Sequence, residues 1–266
     1  MARLVIHCGL HKAGSTSIQH LLRANKKNLP GNVLYVSRGL PPFTVMLQAC
    51  RDFDPKQQQA FQARIQKSLS VALEMVGHQP GDTLILSSED FMGTMPATRQ
   101  ARPLYYQAPS VLRAIETSAR ALGYEVEFVI CLRERDSWLR SWHKHQLLWR
   151  PKPIAWDELI QREWVQDYDP AALVGKIREK VTAPLHVIRF EDEVKTRLGP
   201  GTGVLRVAGL NADQLAALRP VAAMQRTPRP WVFDVARSPL LRLLPAGLRT
   251  RFKVLLVRLD RYLTRG

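Results

Sequence analysis

The chain has 266 residues, 45% hydrophobic and 23% charged, a composition ordinary for a soluble globular protein and long enough to bury a substantial core as one domain with or without a tail. Its 39 Lys and Arg against 23 Asp and Glu leave a formal net charge of +16, so anionic partners are expected: a nucleotide, an acidic or sulfated glycan, nucleic acid or a phospholipid surface. A membrane-spanning helix is excluded, because no run approaches the roughly 18 apolar residues that one requires.

The N-terminal apolar stretch is too short for a signal-peptide core, and the three cysteines (Cys8, Cys50, Cys131) are an odd number. Two of them sit in apolar strand-like runs, which favours buried thiols and a reducing, cytoplasmic setting. Peripheral membrane contact is left open. Short runs rich in β-branched residues predict strands at Leu4–Cys8, Val33–Val36, Thr83–Ser87, Val126–Leu132 and Leu185–Phe190. Helical period occupies Ser15–Asn28, Pro55–Val76, Ser110–Leu122, Asp136–Trp149 and Pro170–Val181. Alternation of the two predicts an α/β three-layer sandwich around a mostly parallel sheet of about five strands. Ser37–Phe53, Met92–Pro109 and Val194–Gly203 read as loops.

The first strand runs directly into Gly9-Leu10-His11-Lys12-Ala13-Gly14-Ser15-Thr16-Ser17-Ile18-Gln19 and then a helix. Glycines let consecutive backbone N–H groups turn inward, the helix start adds its positive dipole end, and Lys12 supplies an ammonium, so an anion of high charge density is the expected guest. Lys12 stands two residues before Gly14, whereas an ATP-binding Walker A loop places lysine directly after its last glycine. No strand ends in an aspartate suited to holding Mg²⁺, since the fourth runs into Cys131-Leu132-Arg133, and a metal-free transfer is favoured.

The segment Arg133-Glu134-Arg135-Asp136-Ser137-Trp138-Leu139-Arg140-Ser141-Trp142 follows that strand. Asp136 or Ser137 can cap its helix, and Ser141 can return toward the strand end where Arg133 waits, giving a charged fork beside a hydroxyl. Glu89, in Ser87-Ser88-Glu89-Asp90, is delivered to the end of the third strand and is the leading candidate base, with His11, His143 and His145 as rivals.

Gly9–Gln19 resembles the 5′-phosphosulfate loop of sulfotransferases that use 3′-phosphoadenosine 5′-phosphosulfate (PAPS), and Arg133 with Ser141 is similar to their 3′-phosphate grip. The bacterial members also often carry a similar Ser-Ser-Glu segment. The resemblance covers about the first 190 residues and implies a P-loop-like fold. It also implies cofactor contacts at Gly9, Lys12, Ala13, Gly14, Ser15, Thr16, Arg133 and Ser141, and catalytic roles for Lys12 and Glu89 or His11. Ala13 departs from the Thr or Ser usual at that position. By the same resemblance Arg226 and Arg229 belong to a lid over the nucleotide, the product is PAP with no metal required, and the acceptor is a hydroxyl or amine, with a glycan favoured. Two other readings remain: a small-molecule kinase using ATP and Mg²⁺, or a non-catalytic basic anion-binding protein in which Trp138, Trp142 and Trp149 stack on bases. Two phosphate motifs at two strand ends argue against both, and nucleic acid is the less favoured partner.

The chain divides into residues 1–225, the sulfotransferase-like part, and a basic tail, 226–266, carrying ten Lys or Arg against Asp234 and Asp260. In the tail Leu248, Phe252, Leu255, Leu259 and Tyr262 share one helical face, predicting a helix packed on the domain by that face or lying on an anionic membrane.

Overall fold

A computed structural model describes residues 2–96, 103–150, 154–221 and 228–263. Strands β1 (Ala2–His7), β2 (Val33–Val36), β3 (Thr83–Ser87), β4 (Tyr124–Leu132) and β5 (Leu185–Arg189) form a single sheet in the order β2-β3-β1-β4-β5, and every pairing is parallel. β3 is buried along its whole length, as is most of β1, which is why both read as continuous apolar runs rather than alternating ones. Predicted and observed strands agree to within two residues at each end.

Helices α1 (Ser15–Ala24), α2 (Pro41–Arg51), α3 (Gln58–Val76), α4 (Ala108–Ala121) and α5 (Arg135–Trp149) connect and flank the strands. Three shorter helices, α6 (Trp156–Ile160), α7 (Glu163–Gln166) and α8 (Pro170–Arg178), lead into β5, and α9 (Phe190–Glu193), α10 (Thr202–Val207) and α11 (Ala212–Ala217) follow it. The chain is thus an α/β sandwich with a central five-stranded parallel sheet. Within the span expected to be a loop, Ser37–Phe53, the structure places α2. Phe43, Met46, Leu47 and Cys50 are buried there at helical spacing, so the apolar period outweighs the Pro41-Pro42 pair, which sits at the helix start where proline costs nothing. All three cysteines are buried free thiols, their ionisation pushed up by burial. Trp138 and Trp142 are fully buried, so base stacking is not open to them.

The connection leaving β1 heads toward β3 and β2, whereas that leaving β4 heads toward β5 on the opposite side. A crevice opens between the ends of two adjacent strands whose connections diverge in this way. The loops at Gly9 and Arg133 both lie there.

The tail folds as α12 (Pro230–Arg237), α13 (Pro239–Arg242) and α14 (Ala246–Tyr262). Val232, Ala236, Leu256 and Val257 close a small apolar cluster on Leu148 of α5. Here the predicted face is inverted. Lys253, Leu256, Val257 and Asp260 point inward, and Leu248, Phe252, Leu255, Leu259 and Tyr262 face solvent. The inward polar pair is satisfied: Lys253 Nζ donates to the Leu148 carbonyl at 2.7 Å, and Asp260 accepts from Arg229 Nε at 2.7 Å. Among the described residues no helix is long and apolar enough to cross a membrane.

Candidate functional site

The loop after β1 is held open by unusual backbone geometry. Lys12 has φ 68° and Gly14 φ 96°, both left-handed, which turns successive N–H groups toward one point. Glycine is required at position 14 twice over, since a Cβ there would also lie 2.9 Å from the Phe190 ring. A Cβ at Gly9 would meet His7 Nε2 at 2.7 Å. Helix α1 has no side-chain cap, because its N-cap is Gly14, and among the described residues the N–H groups of Gly14, Ser15 and Thr16 find no acceptor. The buried Ser15 hydroxyl is likewise without a partner. Unpaired N–H donors at a helix start, beside a buried hydroxyl, are an arrangement chemically suited to an anion.

Arg133 joins that cradle to β4. Its Nη1 donates to the Lys12 carbonyl at 3.1 Å, its Nε donates to Ser137 Oγ at 2.7 Å, and its guanidinium lies 4.8 Å over the Phe190 ring. Nη2 has no partner among the described residues, leaving donors for a ligand. The helix cap is Glu134, whose carboxylate accepts from the N–H groups of Asp136 and Ser137 at 2.9 and 2.7 Å, rather than Asp136 or Ser137 itself. Ser141 lies one turn beyond Ser137 and His145 one turn further, and both border the same cleft as Lys12, Ser15 and Arg133.

Lys12 makes no ion pair among the described residues. Burial lowers its pKa, the Arg133 charge adds to that, and Glu89 opposes both. Arg133 is lowered as well, by burial against the pull of Glu191 and Glu134. Two partly desolvated cations a carbonyl apart are stabilised by an anion between them.

Glu89 borders the cleft, accepting from Gln19 Nε2 at 2.9 Å and from Arg38 Nη1 at 3.2 Å. His11 also borders it, but its ring is committed to the protein: Nδ1 lies 3.2 Å from the Tyr105 hydroxyl and Nε2 3.8 Å from Asp90. Its backbone is fixed too, with its carbonyl accepting from Trp138 Nε1 at 2.6 Å. His11 is thus a strut of the loop, its ring oriented by Tyr105 and facing Asp90. His143 Nε2 sits 2.8 Å from the Ile154 carbonyl, which removes it from consideration. The ring of His145 is pushed down to about 4 by burial and by the charges of Lys12, Arg150 and His11, so it is neutral near pH 7 and able to accept a proton.

Ala13 is fully buried and contributes only backbone. Arg229 does not reach the cleft; it is bound to Asp260 of α14, so the lid role expected of it is not met, while Arg226 lies outside the described residues. Sequence reasoning passed over Ser17, Met95 and Phe190 on the cleft wall and Ser137 beneath Arg133. Phe190 was findable, since it follows directly on β5 as Arg133 follows on β4.

No protein-family model and no curated protein match the chain. Among solved structures it is similar to a tunicamycin resistance protein of Deinococcus radiodurans, at 14% identity over 85% of this chain and 100% of that one, with a TM-score of 0.34. It is also similar to a structure of the PezAT chromosomal toxin–antitoxin system of Streptococcus pneumoniae, at 12% identity over 82% and 88%, with a TM-score of 0.31. Likeness at this level carries no functional information.

Proposed function

We propose that the protein is a sulfotransferase that binds PAPS in the cleft between β1 and β4 and transfers its sulfuryl group to an acceptor hydroxyl or amine. The carrying observation is that Lys12 and Arg133, at the ends of two adjacent parallel strands, are tied together around an unsatisfied cradle of Gly14, Ser15 and Thr16. Two anion-binding centres on one cleft fit a nucleotide with phosphate at both its 5′ and 3′ positions better than a triphosphate chain held at one loop.

PAPS supplies the activated sulfuryl group; the residues of the chain do the rest. The N–H groups of Gly14, Ser15 and Thr16 bind the 5′ end, and the Lys12 ammonium neutralises charge growing on the bridging oxygen as the sulfur–oxygen bond breaks. The free Arg133 donors and the Ser141 hydroxyl hold the 3′-phosphate. Glu89 takes the proton of the attacking acceptor, oriented by Gln19 and Arg38, and the neutral ring of His145 is the second group able to do so. Loss of that proton lets the acceptor oxygen or nitrogen form its bond to sulfur while the nucleotide leaves as PAP. A glycan acceptor rests on the resemblance alone.

Thermal denaturation with PAP in the presence of a chelator, and separately with ATP and Mg²⁺ without one, tests the proposal. PAP should raise the melting temperature without divalent metal. Stabilisation by ATP with Mg²⁺ and none by PAP would replace the reading with a kinase.

A further inference from the structure

The inner side of α14 is already occupied. Leu256 and Val257 pack on Val232, Ala236 and Leu148, Lys253 caps the Leu148 carbonyl, and Asp260 holds Arg229. Among the described residues the opposite side has no partner, and it is the most apolar surface of the helix. Leu248, Phe252, Leu255, Leu259 and Tyr262, spaced by four, three, four and three residues, form one stripe with exposures of 51%, 36%, 60%, 45% and 77%. Leu240 and Leu243, just before the helix, are 74% and 82% exposed. A single exposed leucine is unremarkable, but a continuous run of large apolar side chains marks a surface that something covers.

Charge identifies what covers it. At about 100° per residue, Arg251 and Arg258 fall roughly 60° and 80° from the centre of the stripe, on the flank away from the core. Both are exposed and make no ion pair among the described residues. The segment from residue 226 onward holds ten Lys or Arg and two acidic residues. A second copy of the chain would bring two such basic segments face to face, and a nucleic acid has no use for a leucine stripe. A bilayer surface with anionic headgroups satisfies both features at once: the apolar side chains sink to the acyl boundary, and the arginine heads stay at phosphate level.

We infer that α14, with Leu240 and Leu243 before it, is an in-plane docking surface for an anionic lipid membrane. The inference is independent of what the cleft binds, because none of these residues borders it.

Co-sedimentation of the full chain with phosphatidylcholine vesicles, with and without phosphatidylglycerol, provides the test. The protein should pellet with the anionic vesicles alone, and less so as salt is raised past about 0.5 M. Combined Leu248→Ser, Leu255→Ser and Leu259→Ser should lower the partition coefficient at least ~10-fold with little change in the thermal melt, since none of the three belongs to either buried apolar cluster. Arg251→Glu with Arg258→Glu should do the same, and it keeps the idea testable should the serine variant fail to fold. Anionic binding that ignores the serine substitutions would reduce the effect to adsorption by net charge and overturn the proposal. Equal pelleting with phosphatidylcholine alone would also overturn it. So would the absence of pelleting, and a leucine-dependent dimer in light scattering without pelleting would assign the stripe to a second copy instead.

Discussion

Arg133 Nη1 donates to the carbonyl oxygen of Lys12 at 3.1 Å, which fastens the residue after β4 to the left-handed turn in the loop after β1. The guanidinium shapes the loop, and in the proposed function it also presents its remaining donors to the nucleotide. Arg133→Ala removes both. Affinity for PAP should fall about 10- to 100-fold, the worth of one or two charge-assisted hydrogen bonds. Adenosine 5′-phosphosulfate, which lacks the 3′-phosphate, should lose less, retaining only the loop defect. Titration calorimetry on both ligands separates the tasks, and an equal loss would show that Arg133 only shapes the loop.

Gly14 faces Phe190 at a distance that no side chain tolerates, and its φ of 96° is strained for any other residue. Gly14→Ala should cost about 1–3 kcal/mol in denaturant unfolding. Adding Phe190→Ala should recover the steric share and leave the backbone share. The pair should therefore couple in a double-mutant cycle. Simple additivity would mean that the ring moves aside freely and that strain resides in the backbone alone.

The sheet and the cradle were legible in the sequence for one reason. Parallel strands buried on both faces, as β1 and β3 largely are, appear as unbroken apolar runs, and the glycine loop and Arg133 follow closely on the C-terminal ends of β1 and β4. What escaped depended on choices among tertiary partners. Ser137 rather than Ser141 receives Arg133 Nε because it is the nearer hydroxyl on the same face of α5. The tail turned its more apolar stripe outward because Lys253 and Asp260 find matched partners in the Leu148 carbonyl and Arg229, a complementarity that hydrophobic period does not record.

Two histidines make stability depend on acidity. Burial brings His7 down to about 4, opposed by the Glu89 charge, and burial with neighbouring cations brings His145 to about 4. Unfolded, both titrate near 6.5. The unfolded chain thus takes up protons that the folded chain refuses, so the stabilisation is complete above pH 6.5 and is lost as pH falls toward 4. The melting temperature should decline through that window, and His145→Gln, which cannot titrate, should make the decline shallower. An unchanged slope would show that His145 is solvated and ordinary.

Glu89→Gln should preserve PAP binding, because an amide keeps the size and an oxygen for Gln19 or Arg38 to reach. Proton removal from the acceptor would be lost, lowering turnover about 10²- to 10⁴-fold. Steady-state rates with saturating PAPS, alongside His145→Gln, assign the base. If the histidine variant loses the acid limb of the pH profile and Glu89→Gln does not, the base is His145.

Lys12 stands in the cleft without an ion pair among the described residues, its ammonium destabilised by burial and by Arg133 against the opposing pull of Glu89. A cation in that state gains most from the group whose negative charge is largest, and on the leaving oxygen that charge peaks in the transition state rather than in bound PAPS. Lys12→Ala should therefore slow the chemical step more than it weakens binding, by at least the ~10²–10³ typical of losing one preorganised electrostatic donor. The loop itself should survive, because its left-handed turn is held through the Lys12 carbonyl and not through the side chain. PAP should still raise the melting temperature of the variant. Single-turnover transfer at saturating PAPS reads the chemical step directly, and a variant with weakened binding but an unchanged single-turnover rate would leave Lys12 as a nucleotide clamp with no part in bond cleavage.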